Sequence, residues 1–177
     1  MTMFRLGLTH FPSSCKAAAR RPISRAGATR LVSHFDSRSP SGSKAKEQEV
    51  FEANAALLQS ISAGDWGTYA SLCDEGLTGF EPEAAGQQIS GLPFHKFYFD
   101  MAAGADGAAA SPAPQSTMCT PVVRVMGQTA VVSYARATQS VDAGGVAQTS
   151  VAHETRVWQR SPQDGSWKHV HVHRSPA

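Results

Sequence analysis

The sequence of 177 residues has little of several features that mark specialised protein classes. Its apolar runs are short and broken by serine, glycine or charge, so neither a bilayer-spanning segment nor a membrane partner is predicted. Only three cysteines occur, Cys15, Cys73 and Cys119, and they show neither CxxC nor paired spacing. We therefore expect no disulfide scaffold. Cys73 and Cys119 are predicted to be small buried hydrophobic residues in a reducing compartment.

Acidic residues are absent from residues 1–35, which carry six lysine or arginine residues among serine, threonine and alanine. Residues 46–177 instead carry eight basic and thirteen acidic residues. The formal net charge of +2 is therefore an average over two unlike segments. It gives no argument for nucleic-acid binding, and no nucleic-acid partner is predicted.

An arginine-rich, serine-containing and acid-poor N terminus is typical of an organelle transit peptide, either mitochondrial or chloroplast. A disordered arm and a basic calmodulin-type target helix are the alternatives, although Pro22 and Gly27 interrupt the pattern of such a helix. Residues 37–46 are rich in serine, proline, glycine and lysine, which predicts a linker. We expect a disordered basic tail over residues 1–45 and a folded domain over residues 46–175.

The folded domain is predicted to begin with helices. Apolar residues at helical spacing predict a helix over 47–64, and Asp65 is expected to cap a second helix over 66–73. A short strand over 75–82 precedes a third helix, which starts at Pro93 and ends at residue 103. The Ala/Gly/Pro-rich residues 103–116 predict a surface loop.

After this loop the hydrophobic period changes to two. Four β-rich runs joined by turns predict an antiparallel meander over residues 118–126, 129–141, 147–160 and 167–174. Helices followed by a meander indicate an α+β fold. We expect a cone, in which the long N-terminal helix lies across a curved four-stranded antiparallel sheet with a pocket inside.

Alternation along the last three predicted strands assigns their arginines to faces. The three groups expected to share a face are Val132, Tyr134, Arg136 and Thr138, then Glu154, Arg156 and Trp158, then Val170, Val172 and Arg174. If all three faces look into the cone, three guanidiniums converge on one cavity. Such a cavity binds a small carboxylate or another anion, including the tail of a partner peptide, because arginine holds carboxylates bidentately. In the alternative, Glu154, Glu81 and Glu83 neutralise the arginines and only water enters.

Several phrases of this domain resemble one known family. They are GDWGTYASLCDEGLTGFEPEAAGQQISGLPFHKFYF, YARATQ, HETRVW and HVHRS, and they are similar to the association (hub) domain of calcium/calmodulin-dependent protein kinase II. The resemblance runs from about Lys46 to Ser175 and implies the cone of the nuclear-transport-factor-2-like (NTF2-like, SnoaL-like) superfamily. It also implies a self-assembly module, whose sheets pair and whose pairs form two stacked rings. The expected partners are further copies of this chain and kinase hub domains, and calmodulin binding is implied by the family only.

The resemblance also implies pocket residues. Arg136, Arg156 and Arg174 match arginines that line the family's pocket, His95 matches a histidine that faces the ligand, and Tyr98 lies one turn further along that helix. Family members that bind small acids have a tryptophan shortly afterwards, where this chain has Met101-Ala102-Ala103. A lid-like aromatic contact is therefore missing.

Three histidines alternate along the last predicted strand, and His169, His171 and His173 are expected to share a face. With His153 as a fourth ligand, such a row could hold zinc or iron. The family has histidines matching His171 and His173 without being a metalloprotein family, which favours packing and interface hydrogen bonds. Neither a metal nor a cofactor is predicted.

A catalytic role is the alternative to assembly. The sequence has no glycine-rich phosphate loop, VAIK-like lysine, HRD or DFG motif, so this chain alone is not expected to phosphorylate a substrate. NTF2-like cones also host isomerases and dehydratases, but that is an analogy of fold. Such chemistry needs a base deep in the cone, for which only Glu81, Glu83, Glu154 and His95 are candidates. Nearby arginines would lower a glutamate's pKa, so no catalytic residue is predicted.

Overall fold

The computed structural model describes residues 41–104, 112–142 and 144–177. The helices are α1 (Ser41–Ala63), α2 (Trp66–Leu72) and α3 (Pro93–Gly104). The strands are β1 (Cys73–Phe80), β2 (Ile89–Ser90), β3 (Gln115–Met126), β4 (Thr129–Val141), β5 (Ala147–Arg160) and β6 (Trp167–Pro176). The predicted transit peptide and residues 105–111, the central half of the predicted loop at 103–116, lie outside the described residues.

Helix α1 begins at Ser41, so the last residues of the predicted linker are helical. Its first turns are supported by local side-chain contacts, because the Ser43 hydroxyl donates to Glu47 at 3.2 Å. The helix ends before Gly64, whose φ of +67° suits glycine. Asp65 then caps α2 as predicted, and its carboxylate accepts from the Thr68 backbone N–H at 3.0 Å.

One open sheet carries all six strands in the order β2-β1-β6-β5-β4-β3. Strands β3 to β6 form the predicted antiparallel meander. Strand β1 extends the sheet by pairing with β6 in parallel, and β2 pairs with β1 antiparallel. The expectation of four strands, all antiparallel, is therefore wrong, because β1 finds its partner some 90 residues away and no local pattern specifies that partner.

The helices pack against one face of this curved sheet, which we call the inner face. The core joins α1 and α2 to inner-face residues of the sheet, and its buried members include Val50, Leu57, Leu58, Tyr69, Leu77, Val132 and Trp158. Cys73 is also buried here, as predicted, whereas Cys119 is partly exposed. The structure is therefore an α+β fold of helices on one face of a curved sheet, as predicted.

A bulge in β6 changes which of its residues face the core. Val157 of β5 pairs with His171, but the next residue, Trp158, pairs with His169, so Val170 has no partner of its own. His169 is fully buried against the Trp158 ring, whereas His171 and His173 lie beside Phe80 on the opposite face, which we call the outer face. The prediction of one histidine row is therefore wrong.

The same bulge removes Val170 from the face that holds Val172 and Arg174. Val172 is fully buried on the inner face. Val170, the extra residue of the bulge, is partly exposed and is not part of that buried face. Simple alternation fails here because the extra residue shifts every side chain that precedes it by one step.

Candidate functional site

A cavity of about 270 Å³ lies between α3 and the inner face of the sheet. It brings together five of the six predicted site residues, since Arg136, Arg156, Arg174, His95 and Tyr98 all line it. The sixth, Glu154, contacts two of these arginines. The remaining lining residues are Ile61, Tyr69, Glu81, Glu83, Phe94 and Phe99.

Glu154 lies behind Arg136 and Arg156, which line the part of the cavity that we call the inner end, and its side chain is fully buried. It accepts hydrogen bonds from the Tyr134 hydroxyl at 2.5 Å, from Arg136 Nη1 at 3.3 Å and from Arg156 Nε at 3.0 Å. Burial alone would raise the pKa of Glu154, but the charges of Arg156 and Arg136 outweigh it and lower that pKa. Glu154 is therefore an anion that two arginines share.

Arg156 is the more deeply buried of these two arginines, with 3% of its surface exposed. Its Nη1 lies 3.3 Å from His169 Nε2, and His169 Nδ1 lies 3.8 Å from the Cys73 sulfur. Burial and the Arg156 charge hold the pKa of His169 well below its usual value. Because a guanidinium can only donate, His169 Nε2 accepts and His169 is neutral. Burial raises the pKa of Cys73 to about 11, so this thiol is protonated near neutral pH.

A second charged cluster forms the mouth of the cavity. His95 Nε2 lies 3.1 Å from Glu81, while Arg174 Nη2 donates to Glu81 at 2.8 Å and to Glu83 at 2.5 Å. Burial would raise the pKa of Glu81, but hydrogen bonds from His95 and Arg174 together with the Arg174 charge lower it to about 2. Arg174 is thus held by two carboxylates.

The two ends of the cavity therefore differ in charge. At the inner end two arginines share one carboxylate, whereas at the mouth one arginine faces two carboxylates. Arg136 is the arginine best placed to bind an added anion, because within the described residues its Nε and Nη2 donate only to the neutral Ser116 hydroxyl, at 3.0 and 2.9 Å. The glutamates therefore neutralise the arginines, as the alternative reading of the sequence predicted, but the inner end keeps an excess of positive charge and the mouth an excess of negative charge.

Sequence reasoning missed several residues that hold this site in place. Asn54 of α1 is fully buried and accepts from Trp158 Nε1 at 3.2 Å, which fixes the helix over β5. An asparagine inside the apolar stripe of α1 was the available signal. Ser116 was assigned to the loop, and His169 to a face shared with His171 and His173, so the contacts of Ser116 with Arg136 and of His169 with Arg156 could not be foreseen.

The other candidate groups have no such arrangement. Within residues 41–104, 112–142 and 144–177, no three histidine, cysteine or acidic side chains come together as metal ligands. His95 Nδ1 is, in this part of the chain, the one buried side-chain nitrogen or oxygen without a hydrogen-bond partner.

Met101, in the region where a lid aromatic was missing, is exposed. None of the described helices has the length and apolar character needed to cross a bilayer.

Comparison with known proteins places the chain in a family. The family model of the calcium/calmodulin dependent protein kinase II association domain matches residues 46–177. The chain belongs to this family.

Its relatives agree with this assignment. The chain is 41% identical over 134 residues to the rabbit (Oryctolagus cuniculus) calcium/calmodulin-dependent protein kinase type II subunit delta, covering 75% of this chain but only 24% of that protein. Among solved structures, it is 45% identical to the hub homology domain of Chlamydomonas reinhardtii CaMKII, with a TM-score of 0.69, and the match covers 75% of this chain and 98% of that one. The association domain of C. elegans CaMKII is 38% identical with a TM-score of 0.67, covering 77% and 99%.

More distant structures share the fold alone. An NTF2-like superfamily protein from Salmonella enterica is 21% identical, with a TM-score of 0.60 over 75% of this chain and 92% of that one. The fold is therefore the NTF2-like cone. The hub relatives indicate a self-assembly module that is not itself catalytic.

Proposed function

We propose that this chain is a homo-oligomeric scaffold, a double ring built from dimers that pair through the outer faces of their sheets. The supporting observation is the character of that face. Glu154 is the only acidic residue in β3 to β6, and it is buried on the inner side. The outer side of β5 instead exposes Val151, His153 and Thr155.

The outer face of β3 to β6, which carries no acidic residue, suits contact with a second copy, because pairing of these strands then buries no unpaired carboxylate. Exposed apolar side chains add to this surface, since Val151 is 44% and Phe80 40% exposed. The same surface would allow mixed rings with kinase hub domains, whose family this chain shares.

The mass of the purified chain in solution tests the assembly. We expect multi-angle light scattering at micromolar concentration to give a mass many times the 18.8 kDa of one chain. A mass corresponding to monomers or simple dimers over this concentration range would refute the ring.

A single charge placed on the outer face tests the surface itself. Thr155 is exposed near the middle of β5, opposite Ser133 and His173. Thr155→Glu is expected to reduce the assembly to smaller species, because two carboxylates would meet across a two-fold contact. Ser150→Glu is the matched control, since Ser150 is exposed on the same strand but faces the other side. An unchanged mass for Thr155→Glu would exclude this face as the interface.

We also propose that the cavity binds a small carboxylate. Its support is Arg136, whose guanidinium faces the cavity with one shared carboxylate and a neutral hydroxyl as partners. Arginine forks bind carboxylates bidentately, and aromatic side chains supply walls for an apolar body. Enzyme chemistry is less well supported, because Glu81 and Glu154 both have lowered pKa values and are weak bases near neutral pH.

Isothermal titration with pentanoate tests this binding. Arg136→Ala is expected to abolish the binding heat, while Arg124→Ala, which removes an exposed arginine from β3, should leave it unchanged. No heat from pentanoate or other small carboxylates with the wild-type protein would remove the proposal.

The basic N terminus supports a further proposal, that residues 1–45 direct the chain to a mitochondrion or a chloroplast. A fluorescent protein carrying these residues should enter one organelle. A version with Arg20, Arg21 and Arg25 changed to glutamine should stay outside. Diffuse fluorescence from the unaltered fusion would contradict the targeting role.

A further inference from the structure

We propose that Glu83 restricts the cavity to ligands with a single carboxylate, because its negative charge already pairs with Arg174, the arginine at the mouth that a second carboxylate would need. This inference rests on the proposed binding of carboxylates and assigns a specificity-determining role to one residue at the mouth.

The contacts of Arg174 carry the first step. The same nitrogen, Nη2, donates to Glu81 at 2.8 Å and to Glu83 at 2.5 Å. Glu81 is a fixed partner, since its side chain is only 11% exposed and also contacts His95. The side chain of Glu83 is 39% exposed, and within the described residues its hydrogen-bond partner is Arg174 alone. It is therefore the partner that a ligand would have to displace.

The inner end has the opposite character. Arg136 and Arg156 share Glu154, and two of the nitrogens of Arg136 contact Ser116, which carries no charge. One carboxylate can bind at this end and complete the pairing of charges. A second carboxylate on the same ligand would reach a mouth that already holds two carboxylates and one arginine, where it meets like charge.

Selectivity of this kind is a difference between two affinities, and here the discrimination comes from repulsion at the mouth. Glu83→Gln keeps the size of the side chain and removes its charge, which leaves Arg174 with one anionic partner. The two carboxylates of a dicarboxylate can then pair with Arg136 at the inner end and with Arg174 at the mouth, while a monocarboxylate, which needs only Arg136, gains little affinity. Glu83 therefore acts on the second carboxylate and not on the first.

The test compares pentanoate with succinate, glutarate and adipate by isothermal titration, since the three dicarboxylates sample different separations of their charges. For the wild type, we expect pentanoate to bind more tightly than any dicarboxylate. For Glu83→Gln, we expect at least one dicarboxylate to bind about tenfold or more tightly than to the wild type, with pentanoate changed by no more than about twofold. Glu75→Gln is the matched control, because Glu75 is exposed on β1 and does not line this cavity.

The outcomes separate this inference from the proposed function. If pentanoate binds and Arg136→Ala abolishes that binding, but no dicarboxylate gains on Glu83→Gln, the role of Glu83 is wrong and carboxylate binding stands. An equal gain for pentanoate and the dicarboxylates, or the same gain with Glu75→Gln, would show a general effect of charge and also overturn the inference. No binding of pentanoate to either protein would overturn both proposals.

Discussion

The two faces of the sheet are made by the same strands and have opposite chemistry. On β5, Glu154, Arg156 and Trp158 are buried on the inner face, whereas Thr155 and Val157 between them point outward. The inner face carries charges that are paired and shielded from water. The outer face of β3 to β6 carries no acidic residue. Strand alternation thus lets one segment supply a ligand cavity on one side and an assembly surface on the other.

This difference predicts how each face tolerates change. A buried ion pair gains little over a well-packed apolar pair, but removing one partner leaves an uncompensated buried charge. An exposed outer-face residue leaves no such charge when it is replaced. Substitutions on the two faces should therefore differ in their effect on the free energy of unfolding, and the following predictions run from the largest effect to the smallest.

The largest effect is expected for Glu154→Ala. This change leaves Arg136 and Arg156 without their shared carboxylate, and we expect it to lower the free energy of unfolding by about 3–5 kcal/mol. Urea unfolding at fixed protein concentration measures it. A loss below about 1 kcal/mol would show that water reaches the inner end and that the two faces do not differ as described.

Acid should weaken the charged cluster at the mouth of the cavity, which packs against the inner face, through Glu81. Its folded pKa of about 2 lies below its ordinary value of 4.5, so its stabilising contribution is complete above pH 4.5 and is lost as the pH falls towards 2. The loss amounts to at most about 3 kcal/mol for this shift. Urea midpoints measured between pH 6 and pH 2 should fall less steeply for Glu81→Gln than for the wild type. Glu75→Gln should keep the wild-type slope, and equal slopes for all three proteins would refute the assignment.

A smaller loss is expected for Trp158→Phe. The indole N–H donates to Asn54, and phenylalanine leaves that buried oxygen without its donor as well as a small void. We expect a loss of about 2 kcal/mol in urea unfolding. The double variant with Asn54→Leu should recover part of this loss, because both polar partners are then gone. If the losses of unfolding free energy of Trp158→Phe and Asn54→Leu simply add in the double variant, the hydrogen bond does not couple α1 to β5.

The smallest effect is expected on the outer face. Thr155→Val, next in sequence to Glu154, should change the unfolding free energy by no more than about 0.5 kcal/mol when proteins are compared at dilutions that give equal assembly states. A loss comparable to that of Glu154→Ala would remove the contrast between the faces.

The cavity shows how much of the candidate site could be predicted from the residue types and their spacing. The three arginines were expected to converge, and they line one cavity, because the predicted strands β4 and β5 have regular alternation. Their unequal pairing was not foreseen, since the sequence pattern did not indicate the turn at Pro82–Ala84 that brings Glu83, and Glu81 just before it, to Arg174. His169 was placed on the wrong face for a related reason, because a bulge leaves no mark in the alternation of side chains.

The helices, the four-stranded meander and the hub family could be read from the amino-acid sequence, because hydrophobic periodicity, capping residues and long matching phrases are properties of neighbouring residues. Three features become visible only in the folded chain: β1 pairs with β6, His169 lies on the inner face, and two carboxylates hold Arg174. The first and last of these features depend on contacts between residues some 90 positions apart, and the second depends on a bulge in the pairing of β5 with β6. Their energies are set by packing and burial, which no short stretch of sequence contains.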